Sequence, residues 1–142
     1  MPTPRVRDAA TLMREALSDL PRPVTLRWYT PDLPGAHAAA EGAFLDALAA
    51  ASPQVRLDVL ADRWDAAREE AAGIRRTPVI AVAGEHDPGL HFYGTPDGYE
   101  LETFLGLLRA LSEGRTGLTT ETEARLAGLM IPLHLEILAS PT

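Results

Sequence analysis

The amino-acid sequence predicts an α/β domain built on a mixed four-stranded sheet with helices on both faces. Three observations support this class: helical and strand periodicities alternate along the chain, one short run is apolar at every position, and the composition is that of a globular protein. The chain has 142 residues, of which 46% are hydrophobic and 23% are charged. A chain of this length buries about 68 to 70% of the surface that it exposes when unfolded, so one core can stabilise it.

The amino-terminal half alternates predicted helices and strands. Apolar residues recur at steps of three and four over residues 6–20, which predicts a first helix ended by the prolines that follow. Residues 24–29 alternate between apolar and polar side chains and predict the first strand. A second helix over residues 37–51 and a second strand over residues 55–59 follow. The predicted apolar stripe of the second helix consists of Ala40, Ala43, Phe44, Ala47 and Leu48.

The third helix and the hairpin come next. The helix is predicted between a cap at Asp62 and an end at Gly73. Residues 79–83 are apolar at every position, which is typical of a central strand buried on both faces. A polar turn over residues 84–89 leads to a strand over residues 90–93, so the two strands are predicted to form a hairpin. The predicted apolar face of the third helix consists of Trp64, Ala67, Ala71 and Ile74.

The fourth helix has the clearest amphipathic pattern in the chain. Asp97 and Glu100 have the spacing of a capping box, and Gly114 is the expected carboxyl-terminal cap. The order of elements is therefore αβαβαββα, which predicts two parallel crossovers, an antiparallel hairpin and a closing helix. The apolar stripe of the fourth helix consists of Leu101, Phe104, Leu105, Leu108 and Leu111.

The composition excludes several classes of function. The net charge of −7 opposes nucleic-acid binding, which depends on clustered cationic side chains. The chain contains no cysteine, so it has no disulfide, no thiolate nucleophile and no thiolate metal ligand of its own. No apolar run reaches the roughly 18 residues of a membrane helix and no signal peptide is recognisable, so we expect a cytoplasmic protein without a membrane partner. The absence of lysine and asparagine indicates a GC-rich bacterial genome.

The four histidines do not form a metal-binding pattern. His37, His86, His91 and His134 include no pair at helical spacing and no close carboxylate partner on one helix face. We therefore expect these histidines to be exposed to solvent, and we predict neither a metal ion nor a cofactor. Trp28 and Trp64 lie on the apolar rows of their elements, so both are expected in the core or at its edge.

Two segments resemble proteins of the thioredoxin family. Residues 74–80, IRRTPVI, are similar to the segment in which that family has a cis peptide bond before proline. Residues 92–101, FYGTPDGYEL, resemble the F-x-G-x-P-x-G-[YH]-E-F run of glutaredoxin-like protein disulfide oxidoreductases. The same run occurs in the amino-terminal domain of the alkyl hydroperoxide reductase flavoprotein subunit. Both families fuse two thioredoxin-like units, and the resemblance covers residues 5–114 as the first unit.

The sequence departs from these families at their catalytic motif. Family members carry T-P-x-C-P-[YH]-C after the first strand, whereas residues 30–36 read TPDLPGA. Leu33 and Ala36 stand at the two cysteine positions. Thiol–disulfide exchange needs a thiolate, so we expect no catalytic residue in this chain. The first unit of the reductase flavoprotein also lacks cysteines, so a silent first unit is compatible with the resemblance.

The resemblance also implies a binding groove beside that motif. It places Pro34, Arg76, Thr77 and Pro78 along the groove, with the Thr77–Pro78 bond cis and Thr77 as the residue that pairs with a bound peptide. The alternatives are a solubility role for Arg75 and Arg76 and a purely structural unit that packs on a second one.

Residues 115–142 resemble the start of a second unit. Thr120 and Glu123 have capping-box spacing in a predicted linking helix over residues 118–130. Apolar and polar side chains alternate over residues 133–137, which predicts a strand over residues 133–138. We therefore divide the chain into a thioredoxin-like domain, residues 1–114, and a linking helix and strand, residues 115–142. The predicted apolar face of the linking helix consists of Leu126, Leu129 and Met130.

Two functions remain open at this point. A complete chain is expected to be a non-catalytic scaffold or a module that docks a peptide or protein. The alternative is the truncated amino-terminal half of a thiol–disulfide oxidoreductase whose Cys-x-x-Cys lies beyond residue 142. Because the predicted strand over residues 133–138 has no unit of its own, we expect it to pair with the same sheet or with a second copy, preferably as a homodimer.

Overall fold

The structure is a computed structural model that describes residues 8–30, 35–60 and 66–139. It confirms the predicted α/β class and the predicted order of elements through the fourth helix. In chain order the elements are α1 (Ala9–Leu17), β1 (Val24–Tyr29), α2 (Ala36–Ala51), β2 (Val55–Leu60), α3 (Ala66–Ala71), β3 (Val79–Ala83), β4 (Leu90–Phe92), α4 (Tyr99–Glu113) and α5 (Thr120–Ala127).

The four strands form one mixed sheet in the order β2-β1-β3-β4. β1 and β2 are parallel, whereas β3 is antiparallel to β1 and to β4. The prediction of two parallel crossovers is therefore wrong for the second one, while the predicted hairpin is confirmed. β2 ends at Leu60 opposite Tyr29, and β3 begins at Val79 opposite the same Tyr29. The chain therefore enters β3 from the end of the sheet where β2 finishes.

The core lies on both faces of the sheet. On one face α1, α2 and α4 cover alternate residues of β1 and β3, including Leu26 and Ile80. On the other face Ile74 and the half-buried Ala72, which follow α3, pack with Tyr29 and Val79. All five residues of β3 are buried, which confirms the predicted central strand. Within the described residues no helix is long and apolar enough to cross a membrane.

The buried face of α2 differs from the predicted stripe. Leu48 is buried as predicted and Phe44 is half-buried, but the three alanines of the stripe are exposed. Leu45 and Glu41 are buried instead. α2 has alanine on nearly every face, so its small apolar side chains specify the orientation weakly, and the larger Leu45 determines which face is buried.

The ends of α3 and α4 also differ in part from the predictions. Ile74 is buried as predicted, but Ala67 and Ala71 are exposed, so the predicted apolar face of the third helix is wrong at these two alanines. The predicted cap Asp62 and Trp64 lie outside the described residues. α4 begins one residue later than a capping box at Asp97 requires. The Asp97 carboxylate accepts from the neighbouring Gly98 N–H, and the box is not formed. The predicted buried stripe of α4 is confirmed, with Leu111 half-buried.

The carboxyl-terminal end of α4 is fastened to the segment before β1. Ser112 is fully buried; its hydroxyl accepts from the Arg22 backbone N–H and donates to the Arg22 carbonyl. The Arg22 Nε donates to the Ser112 carbonyl oxygen at 2.9 Å. Gly114 ends α4 as predicted, with a φ of 69°. This positive φ favours glycine, and the Arg22 guanidinium lies close to the position where a Cβ atom would be.

The segment after Gly114 contains α5 but not the predicted strand. Thr119, rather than Thr120, caps α5 by accepting a hydrogen bond from the Thr122 N–H. Residues 133–138 are exposed and have no strand structure, so the strand predicted there is wrong for this single chain. An extended segment needs a neighbouring strand for its backbone hydrogen bonds, and residues 133–138 have none here.

An ion pair between α4 and the end of α1 gives a testable pH dependence. Arg109 donates to both oxygens of Asp19, at 2.8 and 3.1 Å, and to the Ala16 carbonyl. These hydrogen bonds from Arg109 lower the pKa of the Asp19 carboxyl below its ordinary value. Because the pKa of Asp19 is lower in the folded state than in the unfolded state, the ion pair stabilises the fold at pH values above the ordinary pKa of aspartate. This stabilisation is lost as the pH falls through the lowered pKa.

We therefore expect Asp19→Asn to lower the melting temperature at neutral pH, with a difference from wild type that shrinks as the pH falls below the lowered pKa. Thermal melts followed by circular dichroism at a series of pH values measure this difference. Asp46→Asn, at an exposed position on α2, is the matched control. A difference that persists unchanged into strong acid contradicts the assignment.

Candidate functional site

The candidate site lies at the end of the sheet where β1 finishes and β3 begins. Tyr29 pairs with Val79, so Thr30 and the residues before Val79 lie at the same end. The Thr77–Pro78 peptide bond is cis. α2 returns the chain from the end of β1 and begins there with the exposed Ala36.

The structure describes only some of the groove residues that the sequence indicates. Arg76, Thr77, Pro78 and Ala36 are described and belong to this end of the sheet. The other two, Leu33 and Pro34, lie outside the described residues.

Thr77 offers unpaired backbone groups at this site. Its side chain is half-buried, and it lies two residues before the first residue of β3. Among the described residues no backbone hydrogen bond joins Thr77 to another main-chain group. Its N–H and C=O groups are therefore available to an extended segment that lies beside it.

Two adjacent arginines give this end of the sheet a local positive charge. Arg75 and Arg76, called the arginine pair below, are both exposed, although the chain as a whole has a net charge of −7. The Arg76 guanidinium carbon lies 4.2 Å from the centre of the Tyr93 ring, which is a cation–π contact. Tyr93 is 40% exposed. The stacked guanidinium is thus held in place while its edges face solvent.

A buried carboxylate lies behind the end of β1. Glu41 of α2 is only 3% exposed, and its Oε2 accepts a hydrogen bond of 2.7 Å from Trp28 Nε1. The neighbouring Gly42 makes room for the indole, because a Cβ there would lie 3.2 Å from Trp28 Cη2. Trp28 is in the core as predicted. The sequence analysis did not identify Glu41 as its partner, and α2 carries a second acidic residue, Asp46, that is exposed.

Thr30 contributes an unsatisfied polar atom to the same region. The residue is 8% exposed, and its Oγ1 has no hydrogen-bond partner in the described part of the protein. Strand alternation puts Thr30 on the same side of the sheet as Trp28, which contacts α2. The end of β1 therefore combines a buried hydroxyl with the buried carboxylate of Glu41.

The carboxyl-terminal segment carries a carboxylate within range of the arginine pair. His134 Nε2 lies 2.9 Å from Glu136 Oε1. The hydrogen bond from His134 is the main cause that lowers the pKa of Glu136, and the charges of Arg75 and Arg76 lower it further.

The other predicted candidates do not join this site. His37, His86 and His134 are exposed as predicted, whereas His91 in β4 is half-buried. Within the described residues no group of three histidine or acidic side chains is arranged to hold a metal ion.

The FYGTPDGYEL run has a structural role. It forms the turn between β4 and α4, where Gly94 and Gly98 have φ angles of 101° and 53° and Pro96 is buried. These positive φ values favour glycine. The run that carries the sequence resemblance therefore shapes a connection of the fold and does not supply reactive groups.

A separate cleft of about 350 Å³ lies at the opposite end of the sheet, between the hairpin turn and the end of α4. Arg22, Glu85 and Arg115 are among its lining residues. Arg22 pairs with Glu85 at 2.8 Å, and Arg115 pairs with Glu113. Both arginines are therefore paired within the chain.

Comparison with solved structures identifies the fold. A protein disulfide oxidoreductase from Aeropyrum pernix superposes with a TM-score of 0.72 at 20% identity, over 87% of this chain and 56% of that one. The alkylhydroperoxide reductase AhpF of Enterococcus faecalis, solved as a mutant, superposes with a TM-score of 0.69 at 18% identity, over 84% of this chain and 58% of that one. An amino-terminal domain of the same reductase superposes with a TM-score of 0.67 at 17% identity, over 82% of this chain and 57% of that domain. No protein-family model and no curated protein sequence matches the chain.

These likenesses show that the fold is thioredoxin-like, as the sequence resemblance implies. At 17–20% identity they show the fold alone. The chain spans little more than half the length of each of these structures. The class defined by fold and composition together is a thioredoxin-like domain without a cysteine.

A double-mutant cycle tests the buried Trp28–Glu41 hydrogen bond. Trp28→Phe leaves a buried carboxylate without its donor, and Glu41→Leu leaves a buried indole N–H without its acceptor. We expect the two substitutions to be coupled by about 1.5 to 3 kcal/mol in the free energy of unfolding, as for hydrogen bonds to charged groups. Urea unfolding of wild type, both single variants and the double variant measures this coupling. Glu41→Gln keeps a hydrogen-bond acceptor and is the control. If the effects of Trp28→Phe and Glu41→Leu on the free energy of unfolding simply add, the Trp28–Glu41 hydrogen bond is contradicted.

Proposed function

We propose that this domain is a non-catalytic docking module that binds an extended peptide or protein segment at the end of the sheet where β3 begins. The observation that carries the proposal is the combination of a thioredoxin-like fold with a complete lack of cysteine. Disulfide exchange requires a thiolate that attacks sulfur, and the residues at the two cysteine positions, Leu33 and Ala36, have hydrocarbon side chains. A binding role does not require the thiols.

The described residues support this binding mode. Among the described residues no main-chain group is hydrogen-bonded to the Thr77 backbone, so a bound segment can add its backbone hydrogen bonds there. Arg75 and Arg76 lie directly before Thr77 and are exposed. Their charge favours a segment that carries an acidic side chain close to the paired residue, in a chain that otherwise repels acidic partners.

A second candidate function is a silent unit of a longer thiol–disulfide oxidoreductase whose cysteines lie elsewhere. It is favoured by the fact that this chain spans 56 to 58% of the similar structures, which include a protein disulfide oxidoreductase and an alkylhydroperoxide reductase. The intact mass of the protein purified from its natural source separates the candidates. A mass of 15.3 kDa supports the docking module, and a larger one supports the longer enzyme.

The 142-residue chain is expected to have no disulfide-reductase activity, because no other side chain in it replaces a thiolate. Insulin reduction in the presence of dithiothreitol measures this directly. The control reaction contains no protein, and mass spectrometry of the preparation first excludes contaminating thioredoxin. Turnover above the rate without protein contradicts a non-catalytic domain.

Docking at Thr77 is testable with synthetic heptapeptides. A peptide of alternating valine and threonine with a central glutamate is expected to bind, and replacement of that glutamate by lysine is expected to weaken binding about tenfold or more, because the arginine pair repels it. Arg75→Glu leaves the pair with no net charge and is expected to abolish this preference. Fluorescence anisotropy of labelled peptides measures the affinities.

N-methylation of the peptide backbone separates strand addition from charge attraction. Successive amides of an extended peptide point to opposite sides, so methylation of one alternate set is expected to abolish binding while methylation of the other set leaves it unchanged. Equal affinity for both methylated peptides contradicts backbone pairing.

A further inference from the structure

The sheet ends at an unpaired edge. β4 is the last strand in the sheet order, and among the described residues it pairs with β3 alone, which leaves one side of Leu90–Phe92 without a neighbouring strand. We call this side the β4 edge. Phe92 packs against Phe104 of α4, with ring centres 4.7 Å apart, so Leu90 and Phe92 face α4.

The opposite face of the β4 edge is polar and lies beside Arg76. His91 points away from α4, toward Gly73, where an added Cβ would lie 3.7 Å from its ring. Tyr93 follows the same alternation, so its ring lies on the His91 face. Arg76 stacks on that ring at 4.2 Å. The β4 edge thus has an apolar face against α4 and a cationic face beside Tyr93.

Residues 133–138, called the tail segment below, have the complementary pattern. Leu133, Leu135 and Ile137 form an apolar row, and the last two are 82% and 89% exposed. The contact of 2.9 Å between His134 and Glu136 holds these two polar side chains on one side. This is the two-residue alternation of a strand that lacks a partner.

The two patterns match when the tail segment lies along the β4 edge. Its apolar row then continues the face of Leu90 and Phe92 over α4. His134 and Glu136 fall on the other face, where the Glu136 carboxylate meets the Arg76 guanidinium. One register thus satisfies the hydrogen bonds, the apolar row and the charges together.

A single chain does not make this arrangement. Its tail segment has no strand structure, and the apolar row remains in water although Glu136 lies within range of the arginine pair.

We propose that the β4 edge binds the tail segment of a second copy of this chain, so that two copies form a homodimer by reciprocal strand addition. Each copy supplies one edge and one strand, which gives two identical contacts about a two-fold axis. The contact buries the exposed apolar row and pairs Glu136 of one chain with Arg76 of the other. This surface adjoins the groove at Thr77 but does not use its backbone, so the inference goes beyond the proposed function.

Charge reversal tests the pairing in the full chain. Light scattering and sedimentation are expected to show a dimer for wild type, with the dissociation constant raised at least about tenfold by Glu136→Arg or by Arg76→Glu alone. The chain that carries both substitutions is expected to recover the dimer, because the reversed charges again meet across the contact. Asp46→Arg changes the charge equally at an exposed position on α2 and is the matched control. Circular dichroism establishes that each variant is folded.

Disulfide trapping identifies which copy supplies the strand. The natural chain has no cysteine, so His91→Cys combined with His134→Cys introduces the only two thiols, on the same face of the proposed contact. After oxidation we expect a dimer-sized band on a non-reducing gel. A monomer-sized product with an internal disulfide overturns the second-copy assignment, as does a wild-type chain that stays monomeric at high concentration.

A dimer that neither charge reversal weakens overturns the β4 edge as its contact. Heptapeptide binding is measured separately on the monomeric Glu136→Arg variant, whose Thr77 groove is intact. Peptide binding without wild-type dimerisation overturns the dimer alone, and dimerisation without peptide binding overturns the docking function alone.

Discussion

Burial of β3 on both faces is the constraint on which the rest of the structure depends. Its backbone is paired on both sides, with β1 and with β4, and all five of its side chains are buried. A strand in this position needs an apolar layer above and below it, which α1, α2 and α4 supply on one face and the segment after α3 supplies on the other. The start of β3 then lies at the end of the sheet, where the Thr77 backbone has no main-chain partner among the described residues.

The residues described at this end of the sheet offer hydrogen-bonding and charged groups, and the chain contains no thiol. The groups present are the main chain of Thr77, two exposed guanidinium groups, and the buried hydroxyl of Thr30. Glu41 is held by Trp28 beneath the surface and contributes to the packing of α2 on the sheet. Hydrogen bonds and charge attraction are available from such a set, whereas electron transfer through sulfur is not.

Elements with large and regular apolar stripes were predictable, and elements made of small residues were not. In α4 leucine and phenylalanine recur at helical spacing, and the predicted face is the buried one. In α2 alanine occupies most faces, so the packing of Leu45 and the Trp28–Glu41 hydrogen bond decide its rotation. The stacking of Arg76 on Tyr93 joins residues 17 positions apart, and no local pattern indicates it.

The sequence by itself determined the number, type and order of the elements through α4, because hydrophobic periodicity and chain-breaking residues act locally. It also determined that this chain performs no thiol chemistry, since composition alone excludes it. Only the tertiary structure decided the antiparallel direction of β3, the burial of Glu41 and the exposure of residues 133–138. Each of these depends on which partners lie nearby in space, and an alternating segment forms a strand only where another strand is present to accept its hydrogen bonds.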